Sequence, residues 1–302
     1  MESKLTINKI LFATDFLQSS RLALDYAVAV AHHFQATIIM LHVVQLSAPA
    51  MEAELLLESP CVTRKEAQER LDAFASGVRR TGLNVQTHVD DGPPAEMILK
   101  AVSFYNADLL VLGVHGMHWG LAHLLIGSNT EKILLSAGCP VMTVGAHVLA
   151  GIDLKLQPKE ILYVSDFTQQ AALAAPYALL FAEYFQVPVD VCQLMPETAE
   201  GNPDLQHKIV DEYCGMLGRV ISEPLYSKWC SRAFHLEHGR EINQIVERAS
   251  SQLAGLIVMG VHIESTLGRH RHTSLAYQLL ARAACPVFTI RQALPSIDTP
   301  AL

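Results

Sequence analysis

Three blocks of this sequence occur twice, in the same order. Ile10-Leu11-Phe12-Ala13-Thr14-Asp15-Phe16 returns as Ile161-Leu162-Tyr163-Val164-Ser165-Asp166-Phe167. Leu110-Val111-Leu112-Gly113-Val114-His115 returns as Ile257-Val258-Met259-Gly260-Val261-His262. Ala137-Gly138-Cys139-Pro140-Val141-Met142-Thr143-Val144 returns as Ala283-Ala284-Cys285-Pro286-Val287-Phe288-Thr289-Ile290. The offsets are 151, 147 and 146 residues. Such a period is a domain, not the roughly 20–45-residue unit of a stacking array. The chain reads as a duplicated domain, with copies at 1–146 and 159–302 and a short linker at 147–158. Its 302 residues suit two domains.

Strand and helix signals alternate within the first copy. Residues 10–13 form a short apolar run ending at Asp15. Ser19 or Ser20 is placed to cap a helix through Phe34, with Leu22, Tyr26, Ala29 and Val30 as its apolar stripe. Residues 37–44 are β-branched and apolar, as in a buried strand. A helix over 63–80 stops near Gly82. Residues 85–89 alternate with polar positions, as an outer strand does. Pro93-Pro94 opens a helix to about Tyr105. Residues 108–114 and 140–144 are further buried strands, with a helix from Ser128 between them. Alternating β and α elements, with strands apolar on both faces, predict an α/β fold with a parallel sheet and helices on both sides.

Composition narrows the function. The formal net charge is −8, which argues against a nucleic-acid phosphate binder. No apolar run reaches the length needed to span a bilayer, and the N-terminus has no secretory pattern. None of the six cysteines forms a C-x-x-C pair. Reduced thiols in a cytoplasmic protein are the simplest expectation.

In a parallel α/β sheet, ligands bind beyond the carboxyl ends of the strands, where the winding direction reverses. Asp15 follows the first strand. Gly113, His115 and Gly116 follow the fourth. Gly127-Ser128-Asn129-Thr130 opens the next helix. Two glycines let a ligand approach the backbone, and a helix start offers N–H groups, hydroxyls and the positive end of a dipole. Together these suit a phosphate chain. This loop holds no Lys or Arg, so the charge would fall on amides, hydroxyls and a bound Mg²⁺. Singly, each residue also has a plain structural reading: Asp15 as a turn residue, Gly127-Ser128 as a turn and cap, Gly113 as a strand end. His115, His118 and His123 match no zinc pattern, so no metal site is expected. No nucleophile–base pair stands out, and no catalytic residue is assigned.

The first copy resembles the universal stress protein family over essentially its whole length. The resembling pieces are ILFATDF, the strand ending Leu41-His42-Val43-Val44, and GVHGMHWGLAHLLIGSNTEKILLSAGCPVMTV. The family's ATP pattern is Gly-x2-Gly-x9-Gly-Ser/Thr. Here it reads Gly113-x2-Gly116-x10-Gly127-Ser128, one residue longer. The resemblance implies two doubly wound domains, each with a five-stranded parallel sheet of order 3-2-1-4-5, and ATP along the strand ends. It implies adenine at Asp15 and at the backbone of Val43, ribose near Gly113, and phosphates at Gly116, Gly127, Ser128, Asn129 and Thr130, with His115 in the same loop. A carboxylate at Asp15 would accept from the adenine amino group and repel the guanine carbonyl.

The second copy departs from this pattern. Asp166 and Gly260 are kept, but Ile263 stands where Gly116 would, and Thr273-Ser274 replaces Gly127-Ser128. The run Arg269-His270-Arg271-His272 reads as a solvated loop, or else as a different anion site or a partner contact. The leading expectation is an ATP-binding protein with a regulatory or stress-response role and its nucleotide in the first copy. A slow Mg²⁺-dependent ATPase and a nucleotide-free interaction scaffold are the alternatives. No nucleic-acid or membrane partner is expected. The last strand of each copy is apolar and would be an exposed edge, so the two are expected to pair as a pseudo-dimer within one chain. Homodimerisation of the whole chain is compatible with this.

Overall fold

The computed structural model describes residues 5–45, 64–114, 127–145, 147–148, 159–235, 241–251, 254–261 and 275–291. The first half runs β1 (Lys9–Ala13), α1 (Gln18–Phe34), β2 (Thr37–Val44), α2 (Arg64–Arg79), β3 (Val85–Asp91), α3 (Pro94–Tyr105), β4 (Leu109–Gly113), α4 (Ser128–Ser136) and β5 (Val141–Val144). The second half runs β6 (Ile161–Ser165), α5 (Gln169–Phe185), β7 (Val189–Gln193), α6 (Pro203–Val220), α7 (Glu223–Trp229), β8 (Cys230–His235), α8 (Glu241–Ser251), β9 (Leu256–Gly260), α9 (Leu275–Arg282) and β10 (Val287–Ile290). Most of the linker at 147–158 lies outside the described residues.

Among the described residues, ten strands form one sheet, in the order β3-β2-β1-β4-β5-β10-β9-β6-β7-β8. Within each half the neighbours are parallel and the order is 3-2-1-4-5, as the resemblance implied. The halves join at β5 and β10, which pair antiparallel with Phe288 opposite Met142. Two threonines bracket that pair in reciprocal fashion. Thr143 Oγ1 donates to Val287 O at 3.1 Å, and Thr289 Oγ1 donates to Val141 O at 3.2 Å. Met142, Val144, Phe288 and Ile290 are all buried. The intramolecular pseudo-dimer expected from the two terminal strands is what the fold contains.

Burial explains the element choices. Strands β1, β2 and β4 read as near-continuous apolar runs because helices cover both faces. The first helix starts one residue before Ser19, with Leu17 at its N-cap, and neither serine caps it. Ser19 and Ser20 are instead buried in its first turn. Its buried apolar residues are Ala23, Leu24, Ala27, Val30 and Ala31; of the predicted stripe Val30 is buried, and Leu22 and Tyr26 pack half-buried against the same core. Small alanines let this helix lie close over the sheet, and close packing outweighed side-chain size.

Strand β3 is the outer strand its alternation predicted, and an edge of the sheet. Asn84 O accepts from Ile38 N in β2, so the alternate carbonyls of Val85 and Val89 point away from the sheet. Helix α2 covers both. Arg79 Nε and Nη2 donate to Val85 O at 3.2 and 3.1 Å, and Arg64 Nη2 donates to Val89 O at 2.6 Å. Asp72 Oδ1 accepts from Thr87 Oγ1 at 2.7 Å, and that bond holds the Asp72 carboxyl below its ordinary range.

Candidate functional site

The site is assembled where winding reverses, between β1 and β4. Ala13 of β1 pairs with Leu41 of β2 on one side and Leu112 of β4 on the other. Asp15, Val43 and Gly113 therefore come together at one end of the sheet. Helix α4 begins at that same end. His115 and Gly116 lie outside the described residues, as do Ile263, Thr273, Ser274 and the basic run at 269–272.

At the end of β1 the chain turns sharply. Phe16 adopts φ 65°, a left-handed conformation uncommon for a bulky residue, and Phe167 repeats it at 61°. This turn exposes Asp15 and buries Phe16. Asp15 Oδ1 accepts from Leu17 N at 3.0 Å and from Ser20 Oγ at 2.6 Å. The turn reading of Asp15 is thus correct, and it is the turn that presents the carboxylate at the strand ends.

The Phe16 ring packs between His42 of β2, with centroids 4.5 Å apart, and the guanidinium of Arg70 from α2, at 4.5 Å. His42 Nδ1 lies 2.8 Å from Thr14 O; a carbonyl can only accept, so Nδ1 carries the proton. His42, Ser20 and Arg70 were not singled out in the sequence. His42 stood inside a strand block quoted only as a resemblance. Ser20 reads as a helix cap, and Arg70 lies in a helix with no motif. Arg70 also puts a cation near the strand ends that the glycine loop itself lacks.

Gly113 has a packing role. A Cβ there would stand 2.4 Å from Ser19 C and Ser20 N. Gly260 repeats this against Gln170 C and Ala171 N, at 2.3 and 2.4 Å. Each glycine lets the first turn of a helix lie on the end of a strand. That need is common to both halves, which explains why Gly260 survives where Ile263 and Thr273 replace the other glycines.

Gly127 differs. Among the described residues, nothing lies within 4 Å of a Cβ built on it, and its φ of −59° suits any residue. It is the N-cap of α4 and makes no side-chain cap hydrogen bond. The first helical bond runs from Glu131 N to Gly127 O, so the N–H groups of Ser128, Asn129 and Thr130 have no partner within the helix. Ser128 and Asn129 are exposed and Thr130 is buried. By contrast, α5 is capped by Thr168 and α6 by Asn202 through their side chains. Lys132 Nζ of α4 pairs with Glu96 Oε1 of α3 at 2.8 Å, which holds the Glu96 carboxyl below its ordinary range.

The model of the universal stress protein family matches residues 6–145 and 158–291. The chain belongs to the universal stress protein family. With that membership it stands among stress-response proteins. A universal stress protein of Methanocaldococcus jannaschii is 32% identical over 141 residues, covering 45% of this chain and 81% of that protein. One of Thermus aquaticus is 32% identical over 139 residues, covering 45% and 96%. Each of these relatives corresponds to a single copy. The solved structure of a universal stress protein from Archaeoglobus fulgidus spans both copies: TM-score 0.69, 18% identity, 95% of this chain and 99% of that one. A Pseudomonas aeruginosa protein of unknown function matches at TM-score 0.62 and 15% identity, over 96% and 94%. These two show that the tandem fold recurs. Among the described residues, no helix of this universal stress protein is long and apolar enough to cross a membrane.

Proposed function

We propose that this universal stress protein binds an adenine nucleotide, ATP with Mg²⁺, in its first half, and that binding serves regulation rather than turnover. The observation that carries the reading is the open start of α4, with three helix-start N–H groups and no side-chain cap, at the same sheet end as the exposed Asp15 carboxylate. Such a helix start suits phosphate through its amides and its dipole. The residues fit the ligand: donors without formal charge for phosphates, and an acceptor for the base amino group. Ser128, Asn129 and Thr130 would hold the phosphates, Gly116 and His115 would line the same loop, and the Val43 backbone and Asp15 would meet the base. Magnesium would supply the positive charge for the phosphates that this loop lacks. The free cysteines among the described residues, together with the nucleotide, support a cytoplasmic setting.

The test is a calorimetric titration of the full chain with MgATP. One site per chain is expected, because Ile263 and Thr273 replace two glycines in the second copy. Gly127→Val should abolish it. Val fits the backbone and meets no atom within 4 Å at Cβ, so binding should be lost without loss of fold. Unchanged affinity in the folded variant would remove α4 from the site.

A further inference from the structure

Asp15 and Asp166 end equivalent strands, yet different residues hold their carboxylates. Asp15 Oδ1 accepts from Ser20 Oγ at 2.6 Å, and Ser20 is buried. Asp166 Oδ1 accepts from Thr168 Oγ1 at 2.6 Å. Both oxygens also accept a backbone N–H two residues on, from Leu17 at 3.0 Å and Thr168 at 3.1 Å. The duplication aligns Leu17 with Thr168 and Ser20 with Ala171. Each half thus places a hydroxyl on the same carboxylate oxygen, and where the donor differs, the position without it is apolar. The helix cap moved with it: Thr168 also accepts from Ala171 N, whereas α1 has no side-chain cap. What the two halves share is the hydroxyl on Oδ1, not the cap.

Resting on the adenine-nucleotide reading above, we propose that Ser20 is a positioning residue that orients the Asp15 carboxylate toward the amino group of the bound base, and so sets the preference for adenine. A carboxylate offers about four acceptor directions. Two donors on Oδ1 fix the plane of the group and with it the direction of the others. Without Ser20 the carboxylate loses one of these two donors on Oδ1, and its plane is less firmly set. Contact with the base amino group then costs ordering that Ser20 had already supplied.

The experiment compares MgATP with the triphosphate of purine riboside, which lacks the amino group, on the full chain. The wild type should prefer ATP by about tenfold or more, the usual worth of a hydrogen bond to a charged group. Ser20→Ala should lose most of that preference through weaker ATP binding, while the purine analogue binds as before. Alanine already stands at the equivalent turn in the second half, so the variant should fold. Leu17→Thr placed in the Ser20→Ala background, copying the second half, should restore the preference. Equal loss of both nucleotides in Ser20→Ala would make Ser20 merely structural and overturn the proposal. So would unchanged discrimination, or a double variant without rescue. A wild type that binds both nucleotides alike would overturn it while leaving nucleotide binding intact. A wild type that binds neither would instead remove the adenine-nucleotide reading on which it rests.

Discussion

The glycines of the ATP-like pattern are not one class of residue. Gly113 is held by contact with the backbone of α1, and Gly127 faces open space. Gly113→Ala should cost about 1–3 kcal/mol or more, because a methyl cannot occupy space 2.4 Å from main-chain atoms without moving the helix. Gly127→Ala should stay within about 0.5 kcal/mol, like other surface substitutions. Denaturant melts of the two variants check this, and equal effects would contradict the division. Spacing alone cannot separate these roles, since both residues sit beside a strand end in the same motif. The internal repeat does carry a hint. Gly260 is kept where the other two glycines are replaced, and a Cβ on it would meet Gln170 C at 2.3 Å. Ser20 was legible only as a hydroxyl in a first turn, because its partner Asp15 is reached through the left-handed Phe16, a conformation no sequence pattern announces.

Strands and helices were largely legible, for a physical reason. Residues 37–44 and 108–114 are apolar on both faces because helices cover both, and residues 85–89 alternate because only one face of β3, that of Val85 and Val89, is well covered. The α1 face was legible at Val30 and in part at Leu22 and Tyr26, but not at the alanines that make its closest contact. The role of α2 was not legible at all, since an arginine that covers a strand edge looks like any solvated charge. That role has a measurable consequence. Replacing Arg64 and Arg79 together by alanine uncovers the outward carbonyls of Val85 and Val89, leaving an edge able to pair with another chain. Sedimentation of the double variant should show self-association rising with concentration, where the wild type shows less. Identical sedimentation would mean that the other side chains of β3 already guard the edge.

At the scale of the molecule, the halves share one sheet, and neither has a complete surface without the other. Gly145 at the end of β5 is packed so closely that a Cβ would stand 2.9 Å from Leu280 O of α9. Tyr184 of α5 donates to Ala29 O of α1 at 3.3 Å, and its ring lies 4.0 Å from that of His33. Phe288, the partner of Met142 across the joint, is held from within its own half by Tyr177 and Phe181, at 5.2 and 5.1 Å. Val144→Asp, which puts a charge into the fully buried joint, should cost about 3–5 kcal/mol. It should lower the melting of both halves in one transition. Calorimetry showing two transitions, with only the first half shifted, would mean that the halves unfold independently. The joint also bears on how the protein is made. Thr143 and its partner Val287 are 144 residues apart in the chain. At about 5–20 residues per second, a ribosome needs roughly 7–30 s to supply that partner. Through that interval the first half can fold around its own strands, but Met142 and Val144 remain on an open edge. Synthesis, rather than the finished molecule, is when this chain is most exposed to a wrong neighbour, and when a chaperone has the most to cover.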